Sequence, residues 1–208
     1  MVTTHSAESD TDVTLRDGSK VDLRPLTSDD KDALTDFLAG LSLRSRAFRF
    51  FSAGVDPRIA ARRAVEMRYP ESFGLVAVQD GRIVAHAMYA RSRSDAVEVA
   101  FAVADELQGH GLGTILLDHI SQVAAANGFP TLLAEVLPEN HRMLEVFSES
   151  GVPVHARAEP GVVHVQLPSG IPLSPGQGHH GWSTAPPELP SPVETLEVHD
   201  EPHPRSRL

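Results

Sequence analysis

The sequence predicts one α+β domain in which a mixed, mostly antiparallel sheet is flanked by helices. Two observations support this fold class: strand-like segments lie on either side of short Asp-Gly turns, and a later strand–turn–helix–strand unit predicts a parallel pair. The predicted order is β-α-α-β-β-β-α-β-α-β-β, so antiparallel hairpins precede a β-α-β core, unlike a doubly wound domain. The chain has 208 residues, enough for one such domain and two tails.

The first predicted elements are a hairpin and a helix. Strand-like residues 13–15 and 20–24 flank the Asp-Gly pair at 17–18, a combination that favours a tight turn. Ser28 is a suitable N-cap for a helix that continues to Ala39, because its hydroxyl can accept a hydrogen bond from the first helical turn.

A second helix and a second hairpin follow. Aspartate caps helices well and proline suits the first helical position, so Asp56 and Pro57 predict a helix that runs to about Met67. Residues 73–79 and 82–91 are predicted to pair across another Asp-Gly turn.

The remaining elements alternate strands with helices before a closing hairpin. Apolar residues recur at helical spacing after the glycine-rich turn at 108–114. This pattern predicts a helix from Gly111 to Asn127. The other predicted elements are strands at 96–103, 131–137, 154–158 and 162–167 and a helix at 139–150.

The two ends of the chain differ in composition from the middle. Residues 1–12 are rich in Ser, Thr, Asp and Glu, and residues 168–208 contain many prolines that interrupt any helix or strand. We expect both segments to be disordered, which limits the folded domain to residues 13–167.

Composition excludes several kinds of chemistry. No cysteine occurs, so disulfides, cysteine-based zinc sites and an acyl-cysteine intermediate are excluded. The histidines near the end of the sequence, at 179, 180, 199 and 203, show no compact metal-ligand spacing. The formal net charge of −10 argues against a nucleic-acid partner; it suits either a cationic acceptor such as lysine or simple solubility. No apolar run approaches the roughly 20 residues that cross a bilayer, and the N-terminus lacks a signal-peptide core, so we expect a cytoplasmic protein without a membrane partner.

The glycine-rich turn is the strongest functional signal. It follows a strand and precedes a helix, where unpaired backbone N–H groups and the helix dipole favour a phosphate. Its spacing is neither that of a dinucleotide-binding fold nor that of a P-loop. The candidate phosphate-binding residues are Gln108, Gly109, His110, Gly111, Leu112, Gly113 and Thr114.

The remaining pattern, Gln-x-x-Gly-x-Gly, matches the CoA loop of the GNAT acetyltransferase superfamily, and the chain resembles that superfamily over nearly all of residues 13–167. Residues 140–151 resemble its asparagine-headed helix after the fifth strand. Three further segments resemble bacterial protein lysine acetyltransferases of the Pat type, which modify acyl-CoA synthetases and related enzymes. These segments are residues 15–18, 23–26 and 41–51.

This resemblance implies a GNAT-like sheet with a splayed central strand pair at the CoA site and acetyl-CoA as co-substrate, without a metal. The backbone at Phe101 and Val103 would contact the pantetheine and thioester, and the 108–114 loop would hold the pyrophosphate. Asn140 would lie near the pantetheine or serve only as an N-cap. Many members carry a tyrosine at the position of Phe147 as acid for the departing thiolate, so here that proton would come from water or another group.

The resemblance also implies a glutamate general base. Strand alternation places Glu98 on one face with Ala100 and Ala102. Burial there would make its carboxylate a better proton acceptor, as a general base requires. A structural role, such as pairing with Arg91 or Arg93, is the alternative. Glu135 is the second candidate base or an orienting carboxylate, with a structural hydrogen-bonding role equally open.

Other titratable groups have simpler interpretations. His86 is expected to be a core histidine with its hydrogen bonds satisfied. Arg44, Arg46 and Arg49 are expected at a solvated helix end, with the guidance of an acidic partner or of the CoA 3′-phosphate as the alternative.

The expected function is therefore transfer of an acetyl group from acetyl-CoA to a lysine of a protein, and the resemblance implies an acyl-CoA synthetase as that protein. Two alternatives stay open. One is acetylation of a small amine such as an amino acid, a polyamine or an aminoglycoside. The other is a non-catalytic acyl-CoA sensor or a scaffold that binds partners through the proline-rich tail.

Overall fold

The computed structural model describes residues 11–171, which contain eight strands and five α-helices. The strands are β1 Thr11–Thr14, β2 Lys20–Pro25, β3 Ser72–Gln79, β4 Arg82–Arg93, β5 Ala96–Val103, β6 Thr131–Val136, β7 His155–Glu159 and β8 Val162–Pro168. The helices are α1 Lys31–Gly40, α2 Leu43–Phe50, α3 Pro57–Val65, α4 Leu112–Ala126 and α5 His141–Ser148.

All eight strands form one sheet in the order β1-β2-β3-β4-β5-β6-β8-β7. Neighbouring strands are antiparallel except β5 and β6, which are parallel and connected through α4. The predicted mixed, mostly antiparallel α+β sheet is therefore confirmed. The parallel pairing joins only residues 96–98 to residues 131–133; beyond it the two strands no longer pair with each other, although β5 still pairs with β4 and β6 with β8. This open end is the splayed strand pair that the sequence predicted.

Helices cover both faces of the sheet. On one face α4 packs its apolar side against β4, β5 and β6, and Leu116, Leu117 and Ile120 are completely buried there. Each such side chain contributes roughly 1.5–3 kcal/mol when it leaves water. Helices α1 and α3 cover the other face and form a smaller core that includes Ala102. The predicted alternation along β5 is confirmed, because Val97 and Val99 belong to the α4 side.

The predicted N-cap is correct at α3 and wrong at the start of α1. Asp56 caps α3 by accepting a hydrogen bond from the backbone N–H of Arg58 at 2.8 Å. Ser28 is not the N-cap that was predicted; it begins a short 3-10 turn instead. The Asp30 carboxylate fixes that turn by accepting hydrogen bonds from the backbone and hydroxyl of Thr27.

Helix α2 was not predicted at all. It has no fully buried residue, so the apolar periodicity that reveals other helices is missing. Its only local signal is Ser42, whose hydroxyl accepts from the backbone N–H of Ser45 at 3.1 Å.

The domain boundaries differ slightly from prediction. β1 begins at Thr11, two residues before the predicted start, and β8 ends at Pro168. The rest of the two end segments, 1–10 and 172–208, lies outside the described residues. Within 11–171 the longest helix has 15 residues, and none has both the length and the apolar character needed to span a bilayer.

Candidate active site

The open end of the β5–β6 pair exposes backbone groups of β5. Ala104 is the first residue after the paired part of β5. Its backbone N–H donates a 2.8 Å hydrogen bond to the carbonyl of Val84 on β4. Since hydrogen-bonding direction alternates along an antiparallel strand, the backbone groups of Phe101 and Val103 face away from β4 toward the gap. The Val103 carbonyl accepts a 3.1 Å hydrogen bond from Gln108 on that side.

The glycine-rich loop leads from this strand into α4. Gly109 and Gly111 have φ values of 87° and 92°, a left-handed conformation that glycine adopts without a Cβ penalty. Within the described residues, no backbone N–H from 109 to 114 donates a hydrogen bond to another protein group. The loop therefore offers free donors at the positive end of a long helix, which suits a diphosphate.

A cavity of about 260 Å³ lies beside this loop, and we call it the loop cavity. The loop residues in its wall are Gln108, Gly109, Gly111, Gly113 and Thr114. Two of the predicted loop residues do not line the cavity. The Leu112 side chain is buried in the core, and the His110 ring faces Asp17 at 3.4 Å. Either residue can reach a ligand in the cavity only through its backbone N–H.

Gln108 joins three elements around the loop cavity. Its side-chain nitrogen donates to the Val103 carbonyl of β5 and, at 3.2 Å, to the Ser45 hydroxyl of α2. Its side-chain oxygen accepts a 3.2 Å hydrogen bond from Arg142 of α5. The side chain of Gln108 therefore shapes the loop, and its own hydrogen bonds are made within the protein.

Two arginines that the sequence analysis missed flank the loop. The Arg16 backbone N–H donates to the His110 carbonyl at 3.1 Å, and the Arg16 side chain covers Gly111. Arg142 lines the loop cavity from α5. Both residues lie in segments that carry the family resemblance, but no local pattern shows that their side chains reach the loop, because the β1–β2 turn and α5 meet it only in the folded domain.

A second cavity of about 300 Å³ is lined by residues of both β5 and β6. It contains Glu98 and Glu135, and we call it the carboxylate cavity. The register of β5 against β6 puts both side chains on the same sheet face. The two cavities share wall residues, which are Phe48, Arg49, Phe101, Asn140 and Met143.

Glu98 is exposed, so the burial expected of it is wrong. The opening of the β5–β6 pair begins at this residue and leaves its side chain facing the cavity. The alternative of pairing with Arg91 is not found, because Arg91 lies opposite Val97 on the other sheet face and binds Glu71 at 2.8 Å. Within residues 11–171, Glu98 has no ion-pair partner within 4.0 Å.

Glu135 is also exposed but has a neighbour. One of its oxygens lies 3.5 Å from Nδ1 of His164 on β8, and Nε2 of His164 lies 3.6 Å from Glu159. This cross-strand cluster includes Glu135, which lies in the wall of the carboxylate cavity. The sequence analysis did not single out His164, because only strand register brings it beside Glu135.

The arginines of α2 do not share one environment. Arg44 stacks on Phe48 at 5.1 Å, and Arg46 lines neither cavity. Arg49 is half-buried, lines both cavities and donates a 3.1 Å hydrogen bond to Sδ of Met88. The expectation of a solvated helix end is thus wrong for Arg49.

His86 lies beneath this helix in the sheet. It is buried as expected, but neither ring nitrogen has a hydrogen-bond partner within the described residues, so the expected satisfied histidine is not found. Burial and the nearby Arg49 charge lower the pKa of His86 to about 3. Its ring is therefore neutral at physiological pH.

Asn140 and Phe147 complete the shared region. The Asn140 side chain accepts a 3.3 Å hydrogen bond from the Met143 backbone, which confirms its N-cap role, and it lines both cavities as well. Phe147 is buried and packs edge to face against Phe101 at 6.5 Å between ring centroids. Among residues 11–171, no three His, Asp or Glu side chains are grouped in a way that could hold a metal ion.

Comparisons with known proteins agree with this geometry. The model of the acetyltransferase (GNAT) family matches residues 40–152. An acetyltransferase of Pseudomonas aeruginosa is 30% identical over 138 residues, which are 64% of this chain and 74% of that protein. Acetyltransferase Pat of Mycolicibacterium smegmatis is 28% identical over 159 residues; these are 74% of this chain and 47% of that protein, about half its length.

Solved structures show the same relationship. The GNAT domain of S. lividans PAT is similar with a TM-score of 0.70 and 33% identity, over 79% of this chain and 99% of that domain. The family match covers more than half of the chain and includes α2, the glycine-rich loop and α5. The chain therefore belongs to the acetyltransferase (GNAT) family, whose members use acetyl-CoA.

Proposed function

We propose that this acetyltransferase moves an acetyl group from acetyl-CoA to the ε-amine of a lysine in a protein, by direct transfer with Glu98 as general base. The observation that carries the proposal is the meeting of two cavities at the open end of the β5–β6 pair. One cavity offers free backbone amides and the other offers a free carboxylate. A thioester in the first and an amine in the second would meet between Phe101 and Asn140.

The loop cavity fits the cofactor side of this reaction. The free N–H groups from 109 to 114 would bind the diphosphate, and Arg16 and Arg142 would add positive charge beside it. The backbone N–H groups of Phe101 and Val103 would bind the pantetheine and polarise the thioester carbonyl.

The chemistry then needs only one proton acceptor. The amine nitrogen attacks the thioester carbonyl carbon, and its proton passes to Glu98 directly or through one water molecule. The carbon–sulfur bond breaks, and the CoA thiolate takes a proton from water, because the nearby Phe147 has none to give. The chain has no cysteine, which favours this direct transfer over a cysteine-linked intermediate.

Glu98 suits the role of base better than Glu135 does. Its carboxylate is free of ion pairs in the described chain and lies on the strand that carries Phe101. Glu135 lies near His164 at 3.5 Å, so we assign it the orientation of the incoming ammonium group.

A protein acceptor is favoured by the rim of the carboxylate cavity. Phe51, in its wall, is 45% exposed, and α2 has no buried residue. An exposed aromatic rim suits contact with another protein surface. The resemblance to Pat-type enzymes supports a lysine acceptor on an acyl-CoA synthetase or a related enzyme, in the cytoplasm.

The test of the base is the Glu98→Gln variant. We expect its turnover to fall by a factor on the order of 10²–10⁴, as for loss of a general base, with unchanged acetyl-CoA affinity by calorimetry. Glu106→Gln is the matched control, because Glu106 is exposed and lies outside both cavities. Equal turnover in the two variants at every pH would remove Glu98 from the mechanism.

The test of the acceptor is a panel of acyl-CoA synthetases and free amines incubated with labelled acetyl-CoA and read by mass spectrometry. We expect label on a lysine of a protein. Label found only on a free amine would replace the protein acceptor by a small one. Acetyl-CoA binding without any labelled acceptor would favour the sensor function.

A further inference from the structure

Arg49 is a cation without a fixed anion. Its Nη2 donates to the sulfur of Met88, a weak acceptor, and its Nε is buried without a hydrogen-bond partner. No Asp or Glu among residues 11–171 lies within ion-pair distance of it. A guanidinium group offers five N–H donors in a fixed planar fork, so most of its capacity is unused.

The surroundings of Arg49 make this unusual. Its Cζ lies 4.8 Å from the ring centroid of Phe50, and the neutral His86 ring is buried nearby. Burial lowers the pKa of Arg49 to about 10, while the Glu98 charge opposes the shift, so the side chain stays charged at neutral pH. Charges that are withdrawn from water in proteins are normally paired, and the half-buried Arg49 has no such pair within 4.0 Å in the described chain.

The position of Arg49 indicates where its anion would come from. Arg49 lines both cavities, whereas no residue of the 108–114 loop lines the carboxylate cavity. Arg49 therefore lies at the junction of the two cavities, where the proposed thioester and amine would meet. The charged residues in the wall of that cavity are Arg49, Glu98 and Glu135. One cation beside two carboxylates is complementary to a ligand that carries a carboxylate as well as an amine.

We infer that Arg49 forms a carboxylate-binding subsite at the junction of the two cavities. The carboxylate belongs either to a dicarboxylic acyl group on CoA or to the acceptor, as an acidic residue beside the target lysine. Both sources place the same chemistry against the same guanidinium group. The inference rests on the proposed function for the position of the acyl group, but its first test requires binding alone.

The first test compares succinyl-CoA with butyryl-CoA, whose acyl chains have equal length and differ in the terminal carboxylate. Calorimetry measures both dissociation constants for the wild type, Arg49→Gln, Arg49→Lys and Arg46→Gln. If the acyl group is the source, the wild type prefers succinyl-CoA by about tenfold or more, as for a charge-assisted hydrogen bond. Arg49→Gln loses that preference and Arg49→Lys keeps part of it.

Arg46→Gln is the matched control. Arg46 lies on the same helix, is half-buried and also has an unpartnered Nε, but it lines neither cavity. We expect it to keep the full preference. Arg49→Lys retains the charge and keeps the test decisive if Arg49→Gln fails to fold by circular dichroism.

The second test uses acetyl-CoA and two peptides in which the acceptor lysine is flanked by Glu or by Gln. If the acceptor is the source, kcat/KM favours the Glu peptide by a similar factor in the wild type and not in Arg49→Gln. A preference that depends on Arg49 in either test supports the subsite and identifies the source. The subsite is overturned if neither test shows a preference, or if Arg49→Gln retains the preference. It is also overturned if Arg49→Gln loses affinity equally for succinyl-CoA and butyryl-CoA. If no peptide is acetylated on lysine, the proposed function fails, and the first test alone decides whether Arg49 binds a carboxylate.

Discussion

The hydroxyl of Ser45 on α2 donates a 2.6 Å hydrogen bond to the carboxylate of Asp105, which follows β5. The same carboxylate accepts hydrogen bonds from the backbone N–H and the hydroxyl of Ser42, the N-cap of α2. Because Ser45 also accepts from Gln108, one acid fixes both the start of α2 and the loop that leads into α4. Burial tends to raise the pKa of Asp105, but the hydrogen bonds from Ser42 and Ser45 outweigh it and lower the pKa.

Asp105→Asn tests this connection. The amide nitrogen of the new side chain would face donors, so we expect α2 to loosen and the dissociation constant of acetyl-CoA to rise by about tenfold, the scale of one charge-assisted hydrogen bond. Asp36→Asn on the exposed side of α1 is the control. Since the pKa of Asp105 is lowered, the wild type should keep its affinity until the pH falls below the ordinary carboxyl range. An unchanged calorimetric affinity in Asp105→Asn would contradict the connection.

Gly111→Ala tests the loop itself. Gly111 has a φ of 92°, and a Cβ there would lie 3.3 Å from Nε of Arg16. We expect backbone strain of about 1 kcal/mol or more together with displacement of Arg16, and hence at least tenfold weaker acetyl-CoA binding. Gly81→Ala is matched for strain, because Gly81 has a φ of 74° in a turn with open space around it. Thermal unfolding should show similar losses for both variants, whereas only Gly111→Ala should weaken binding.

The parts of the fold that depend on neighbouring residues were predictable from the sequence. The cap at Asp56, the glycine-rich turn and the alternation along β5 depend on hydrogen bonds and side-chain directions within a few residues. These features were enough to predict the class of sheet and the position of the loop.

The features that depend on distant contacts were not predictable. Arg16 reaches the loop only because the β1–β2 turn packs against it, and His164 reaches Glu135 only through strand register. The exposure of Glu98 follows from the separation of β5 and β6, which alternation alone does not reveal. Arg49 was assigned to solvent because α2 lacks the apolar periodicity that would have placed it against the sheet.

His86 is expected to make the protein sensitive to mild acid. Its pKa falls from an ordinary value of 6.5 to about 3 in the folded protein, so below pH 6.5 the unfolded chain binds a proton that the native state does not. Stability therefore falls as the pH falls, by about 2 kcal/mol between pH 7 and pH 5. Urea unfolding of His86→Leu should lack this component. A wild type and a variant with equal losses between the two pH values would show that His86 is not responsible.

Asp30→Asn should separate folding from cofactor binding. The Asp30 carboxylate accepts hydrogen bonds from both terminal nitrogens of Arg24, at 2.8 and 2.6 Å, and from the backbone and hydroxyl of Thr27. Burial tends to raise the pKa of Asp30, but these hydrogen bonds outweigh it, so the pKa is lowered. The ionised Asp30 therefore stabilises the folded state at neutral pH. This stabilisation is lost as the pH falls from about 3.8, the ordinary pKa, through the lowered pKa of the folded protein.

We expect Asp30→Asn to lose about 2–4 kcal/mol of unfolding free energy at pH 7, because the variant replaces the carboxylate that binds Arg24 by a neutral amide in a partly buried site. Asp32→Asn is the control, since the Asp32 side chain is 94% exposed and lies 3.9 Å from Lys31. Asp30 lines neither cavity, so acetyl-CoA affinity should stay at the wild-type value wherever the variant is folded. Urea unfolding and calorimetry on the same samples measure both quantities. A loss of affinity in folded Asp30→Asn would mean that the β2–α1 turn influences the loop cavity from a distance.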